Sequence, residues 1–152
     1  METNVFVSVQ EQDFTIQALS DKVEARAGEA GALVAFVGMV RDFNEGSALN
    51  GLLLEHYPGM TEKSLHGIAE RASGRWELLS IAIIHRVGRL QNADNIVGVA
   101  VRSRHRKSAF EACEFIMDFL KTEAPFWKKE LTPTGEIWVE AKATDDEAKE
   151  RW

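Results

Sequence analysis

The chain has 152 residues, enough for one average domain and too few for three. Hydrophobic residues make up 45% and charged residues 28%, the mix of a globular protein that can bury a core without disulfide or metal staples. Eighteen Lys and Arg against 24 Asp and Glu give a net charge of −6, which counts against a general nucleic-acid binder.

Taken in chain order, Phe6, Val7 and Val9 predict a first short strand. Phe14, Ile16, Leu19, Val23 and Ala27 recur at helical steps. Ala32 to Val40 is apolar at nearly every position and predicts a strand buried on both faces. A polar loop follows from Arg41 to Ser47, then a strand from Leu49 to Tyr57. Pro58 suits a helix start, and Leu65, Ile68, Ala69 and Ala72 give that helix an apolar stripe up to Gly74. Leu78 to His85 and Asp94 to Ser103 predict two more strands. Ala109, Phe110, Cys113, Ile116, Met117 and Leu120 mark the clearest helix, ending before Pro125. Trp138 and Val139 predict a last short strand, and Thr144 to Trp152 a charged tail with a short helix. No linker, repeat or low-complexity tract interrupts this order. One domain over residues 1–152, of α+β or α/β type with a mixed sheet, is expected.

Several classes are excluded by motif. There is no Gly-x-Gly-x-x-Gly, no Gly-x-x-x-x-Gly-Lys-Ser/Thr, no His-Glu-x-x-His and no Gly-x-Ser-x-Gly. The four histidines have no metal-ligand spacing, so no metal and no cofactor are expected. Cys113 is the sole cysteine, which rules out an intrachain disulfide and fits a reducing compartment. Its place on an apolar stripe favours a buried structural thiol over a nucleophile. The longest nearly apolar run, Gly31 to Val40, falls far short of the roughly twenty residues a membrane span needs. The N-terminal Met1-Glu2-Thr3-Asn4 has no signal-peptide pattern, so a cytoplasmic protein is expected.

A basic cluster stands out in this acidic chain: Arg102, Arg104, His105, Arg106 and Lys107. It lies where a strand hands over to the longest helix. Free N–H groups and the positive dipole end both attract anions there. The cluster is either an anion site or a solvated loop. Lys121 shares a helix face with Met117 and is followed by Lys128 and Lys129. Lys121 either snorkels over the core edge or is a lysine whose cationic neighbours favour its neutral, nucleophilic form. Lys128 is then its acid or base partner, with Lys129 and Glu130 structural or exposed. Arg41 closes an apolar strand and suits bidentate phosphate contact, or is a plain surface residue. Phe36 on that strand reads as core. His85-Arg86 either supports the same site or caps an exposed strand end, and the cap is the preferred reading.

Five segments together resemble the large, catalytic subunit of molybdopterin synthase. They are Phe36-Val37-Gly38-Met39-Val40-Arg41 with Asn44 and Gly46; Leu54 to Lys63; Ile84-His85-Arg86-Val87-Gly88; Ser103 to Arg106 with Ala109-Phe110-Glu111; and Met117 to Lys121 continuing through Ala124 to Glu130. They occur in the family's order over nearly the whole chain, weakest over the first 25 or so residues.

The resemblance implies an α/β hammerhead fold with a mixed sheet and a small additional antiparallel sheet. It implies a homodimer that binds two small ubiquitin-like sulfur-carrier subunits, giving a heterotetramer. The implied reaction converts cyclic pyranopterin monophosphate to molybdopterin by two sulfur transfers from the carrier's thiocarboxylated C-terminus. By the same resemblance Lys121 and Lys128 match the essential lysines. Arg41, His105 and Arg106 match anion-binding positions, Phe36 and Met117 match pocket walls, and Glu130 matches an acidic neighbour of Lys128. Lys142 stands where the family often has an arginine, which the pocket can borrow from the other protomer; lysine keeps the charge without the two-pronged grip. Phe43 replaces a commonly polar loop residue.

Two other readings differ in class. One is a non-catalytic module that binds an anion, nucleic acid or the carrier through residues 102–107. The acidic total and the absence of aromatic residues within that stretch argue against nucleic acid. The other is a scaffold that holds the carrier without turnover, which the retention of Lys121 and Lys128 argues against.

Overall fold

The computed structural model describes residues 2–41, 43–44, 47–48, 51–139 and 143–152, with secondary structure alone for 43, 44, 47, 48 and 143. Lys142 and the loop residues Asp42 and Gly46 therefore lie outside the described residues. In chain order the elements are β1 (Asn4–Gln10), α1 (Ile16–Asp21), β2 (Ala32–Met39), β3 (Phe43–Asn44), β4 (Ser47–Ala48), β5 (Gly51–His56) and α2 (Met60–Arg75). Then follow β6 (Leu78–Arg86), β7 (Gly88–Leu90), β8 (Asn95–Ser103), α3 (Arg106–Glu123), β9 (Phe126–Thr132), β10 (Gly135–Val139) and α4 (Ala143–Glu150).

The main sheet has the order β1-β6-β8-β2 and is mixed, as expected: β1 runs parallel to β6, and the other pairs are antiparallel. Strand β6 is buried along its whole length, as its largely apolar sequence favours. Period-two alternation splits the sheet's residues between two faces. Ile81, Ile83, Val97, Val99 and Val101 meet α2 and α3, joined by Leu65, Ile68, Ile116 and Leu120. Each such fully buried side chain contributes roughly 1.5–3 kcal/mol. Ala82, Ile84 and Ala100 meet Phe14, Leu19 and Val23 on the other face. Gly98 permits that second contact, because a Cβ there would lie 2.8 Å from the Phe14 ring and 2.9 Å from Leu19.

A second sheet, β10-β9-β5-β7, is antiparallel throughout. Of its members the sequence predicts β5 and β10. Charged β9 carries no strand pattern, and three-residue β7 is too short to show a period.

Other expectations are corrected. The stripe from Phe14 to Ala27 is not one helix. Thr15 caps a six-residue α1 by accepting from the Ala18 amide at 3.0 Å, and Phe14 and Val23 are buried from outside it. Helix α2 starts at Met60, two residues past Pro58, with the Glu62 carboxylate accepting from the Gly59 amide at 3.1 Å. Strand β2 is not buried on both faces. Among the described residues it is an edge strand paired only with β8, and Leu33, Phe36 and Met39 are 40%, 42% and 56% exposed. Its apolar pattern alone cannot distinguish a central strand from an uncovered edge. On α3, Phe110 is exposed, while Ala112 and Phe115 join the core.

The charged segment over 144–152 is docked. Helix α4 packs on α3, and the Trp152 indole donates to Asp118 at 2.6 Å. Its ring meets Trp76 and Phe115 edge-on, at 5.7 and 5.8 Å between centroids. Arg151 bonds Glu114 and Asp118.

Candidate active site

The sheet's topology brings three chain ends to one edge. Strands β2 and β6 both run antiparallel to β8, so both finish at the edge where β8 begins. Helix α3 leaves the far end of β8 and returns across the sheet, so its last turn arrives at that edge too. There Gly38, Val97, His85 and Val9 stand in register across the four strands. Alternation with Val99 and Ile83 turns this row toward α3.

Phe36 shares the face and lies along its strand; a Cβ on Gly38 would come within 3.5 Å of the Phe36 ring. Its expected place in the core is therefore wrong, and it forms an exposed wall. Met117 is half-buried against the core, and Lys121, one turn later, is exposed. Arg41 is launched from the same edge. Val40 before it is buried and tied to the turn before β8 by Val40 N–H to Asp94 O, 2.9 Å, and Ala93 N–H to Val40 O, 2.8 Å.

The second sheet supplies the rest. Helix α3 stops where Ala124 turns extended before Pro125, and β9 begins at once. Along β9, Phe126, Lys128 and Glu130 point one way. Their partners on β5 are His56, Leu54 and Leu52. Leu52 and Leu54 are buried with Val40 and Leu90, and Phe126 packs on the main core, so this is the inner face. Lys128 and Glu130 are half-buried there. Lys129 faces the other way, 3.5 Å from the Glu136 carboxylate and 4.2 Å above the Trp138 ring. Its reading as structural holds.

His85 and Arg86 are not an exposed cap. They are 4% and 9% exposed. Arg86 is a brace: Nε and Nη2 donate to Glu11 O at 3.1 and 3.0 Å, and Nη1 donates to Asn95 O at 3.2 Å. His85 stacks on Phe126 with centroids 3.8 Å apart and planes 17° apart. Its Nδ1 lies 2.8 Å from Arg86 O, and a carbonyl only accepts, so Nδ1 carries the proton. Burial pushes its pKa down to about 3, and the nearby charges of Lys121 and His56 act the same way. The imidazole is thus neutral and lies within electrostatic reach of Lys121. The signal in the sequence is its position at the end of a largely apolar strand, where an exposed cap is out of place.

His105 and Arg106 lie elsewhere. His105 is the N-cap residue of α3 and Arg106 its first residue, both exposed. Lys121 lies fifteen residues along from Arg106, which at about 1.5 Å per residue is ~22 Å. One chain does not bring the basic cluster and the lysines together.

Cys113 is buried on α3, and burial pushes its thiol up to about 12, an inert group as expected. Among the described residues no three His, Cys, Asp or Glu side chains gather as metal ligands would. No described helix is long and apolar enough to cross a membrane.

The edge thus gathers the cations Arg41, Lys121 and Lys128 with the rings of Phe36 and Phe126 on a mixed α/β frame, a setting suited to binding and transferring an anionic or acyl group. The model of the MoaE protein family matches residues 9–123, and the chain belongs to that family. A Ralstonia nicotianae relative named molybdopterin synthase catalytic subunit is 53% identical over 146 residues, covering 96% of this chain and 83% of the relative. A solved molybdopterin biosynthesis MoaE protein from Burkholderia ambifaria superposes with a TM-score of 0.83 at 52% identity, covering 97% of each chain. A Helicobacter pylori chain shares the fold at 21% identity with a TM-score of 0.71, covering 91% of each; it was solved as a complex of subunits 1 and 2 of molybdopterin-converting factor.

Proposed function

We propose that the chain is the catalytic subunit of a molybdopterin synthase, a sulfurtransferase of molybdenum cofactor biosynthesis acting in the cytoplasm. The substrate is cyclic pyranopterin monophosphate, and the sulfur comes from the thiocarboxylated C-terminus of a small ubiquitin-like carrier subunit. The observation that carries this reading is the convergence of Lys121, from the end of α3, and Lys128, from the inner face of β9, on one edge of the sheet.

Each residue has a role in this proposal. Lys121 engages the carrier's acyl group, as orienter or nucleophile, and stabilises the charge that develops there. Lys128 assists proton transfer as the cyclic phosphate opens, and Glu130, next on the same face, orients it. Phe36 and Met117 wall the substrate, and Arg41 contacts its phosphate. His105 and Arg106 also hold the phosphate, but for a second copy. In this reading the helix that separates them from Lys121 favours a homodimer in which each pocket takes its lysines from one chain and its basic cluster from the other. Lys142 adds a further cation. With one carrier per chain the assembly is a heterotetramer.

The test is a pair of alanine variants. Lys121→Ala and Lys128→Ala are expected to bind the carrier yet form little molybdopterin. Unchanged product formation in both would refute the assignment. Binding to a generic oligonucleotide that weakens steeply with salt would instead favour the anion-binding module.

A further inference from the structure

The segment joining the two lysines is short: α3 ends at Glu123, Ala124 and Pro125 turn the chain, and Phe126 opens β9. Its midpoint is held from two sides. Phe126 lies flat on His85, at 3.8 Å and 17°. Thr61, fully buried at the start of α2, donates to Tyr57 O at 2.9 Å and reaches Pro125 O at 3.4 Å. His85 is itself fixed, on the buried end of β6, with Nδ1–H donated to Arg86 O. Arg86 in turn is clamped to Glu11 and Asn95.

We propose that His85 is a positioning residue for the sulfur transfer, its buried imidazole setting the placement of Lys121 and Lys128 by clamping Phe126 between them. The inference rests on the reading of those two lysines as catalytic. The stack ties the α3–β9 junction to the rigid centre of the main sheet. Lys121 lies five residues before Phe126, and Lys128 two residues after it on the same face. A shift of the ring moves both. Neutrality is part of the fit. A cation at position 85 would stand beside Lys121 and His56, whose charges already bear on it. A neutral ring lets the lysine approach.

The experiment compares His85→Ala, His85→Phe, Phe126→Leu, the double variant His85→Ala/Phe126→Leu, and Lys121→Ala. Each is assayed by steady-state turnover with thiocarboxylated carrier and cyclic pyranopterin monophosphate, with carrier affinity and circular dichroism alongside. A misplaced catalytic group costs up to about 100-fold, so His85→Ala and Phe126→Leu should each lower kcat by about tenfold or more with KM for the carrier within about twofold. The double variant should be no slower than the slower single one, because both remove one contact. His85→Phe keeps a neutral ring on Phe126 and should stay within about threefold of the unsubstituted chain. If His85→Ala does not fold, Phe126→Leu and His85→Phe carry the test. Unchanged kcat in the folded single variants, a rise in KM alone, multiplied losses in the double variant, or His85→Phe as slow as Phe126→Leu would each overturn the inference. If Lys121→Ala turns over normally, the reading of the site falls instead.

Discussion

The imidazole of His85 and the ring of Phe126 lie face to face, 3.8 Å between centroids, joining the central strand β6 to the first residue of β9. This contact brings the two sheets together beside Lys121. It also places an ionisable group in a buried setting, which gives stability a pH dependence.

An unfolded histidine takes its proton near pH 6.5, whereas folded His85 resists protonation down to about 3. Between those values the unfolded chain binds more protons, so the stability that the neutral ring confers is lost as pH falls from about 6.5 towards 3. The slope from this one group is at most about 1.4 kcal/mol per pH unit. Urea titrations of the unsubstituted chain and His85→Phe across this range should diverge steadily with acidity, the variant being less acid-sensitive. Parallel curves would contradict the buried, neutral state of the ring.

Cys113 should be silent in the native protein. Its thiol is buried on α3 and its pKa is raised to about 12, so almost no thiolate forms at neutral pH. A disulfide-exchange reagent at pH 8 should label it only on unfolding. Fast native labelling would place Cys113 in a reactive site.

Trp152 helps to hold helix α4 on α3: its ring meets Trp76 and Phe115 while its indole N–H bonds Asp118. Each aromatic pair is worth about 0.5–1.5 kcal/mol beyond its buried area. Trp152→Ala should therefore destabilise the fold by roughly 1–3 kcal/mol in denaturant titrations, with Lys121-dependent turnover retained once the protein is folded. A variant as stable as the parent would show that α4 is not anchored by this ring.

The split between the basic cluster and the lysines predicts complementation. Chains carrying Lys121→Ala and Arg106→Ala should each be poorly active alone. Mixed dimers hold one pocket with both groups intact. After random reassortment, about half the dimers are mixed and each has one good site of two, so activity should recover to about a quarter of the unsubstituted level. No recovery, with mixed dimers demonstrated, would mean that the two clusters do not share a pocket.

Much of this was legible in the sequence, for reasons that residues make plain. The period of Leu65, Ile68, Ala69 and Ala72 marked α2, and all four are buried. The largely apolar run from Leu78 to His85 marks strand β6. The resemblance named Lys121 and Lys128, which topology brings to one edge. What period could not reveal was tertiary. β9 alternates between a half-buried charged face and one bearing exposed Trp127, so it carries no apolar stripe. β2 looks like core because edge and centre share one composition. The setting of His85 is tertiary too, since the ring it stacks on, Phe126, lies forty-one residues away. The resemblance groups His105 and Arg106 with the lysines, and period cannot reveal that within one chain the two sets lie at opposite ends of α3.

The most direct measurement is a reconstitution. The purified chain, thiocarboxylated carrier and cyclic pyranopterin monophosphate are mixed, and the pterin product is weighed by mass spectrometry. The account predicts a product carrying two sulfurs that vanishes with Lys121→Ala. Carrier that binds intact and transfers no sulfur, or a Lys121→Ala variant that makes product at the parent's rate, would contradict it.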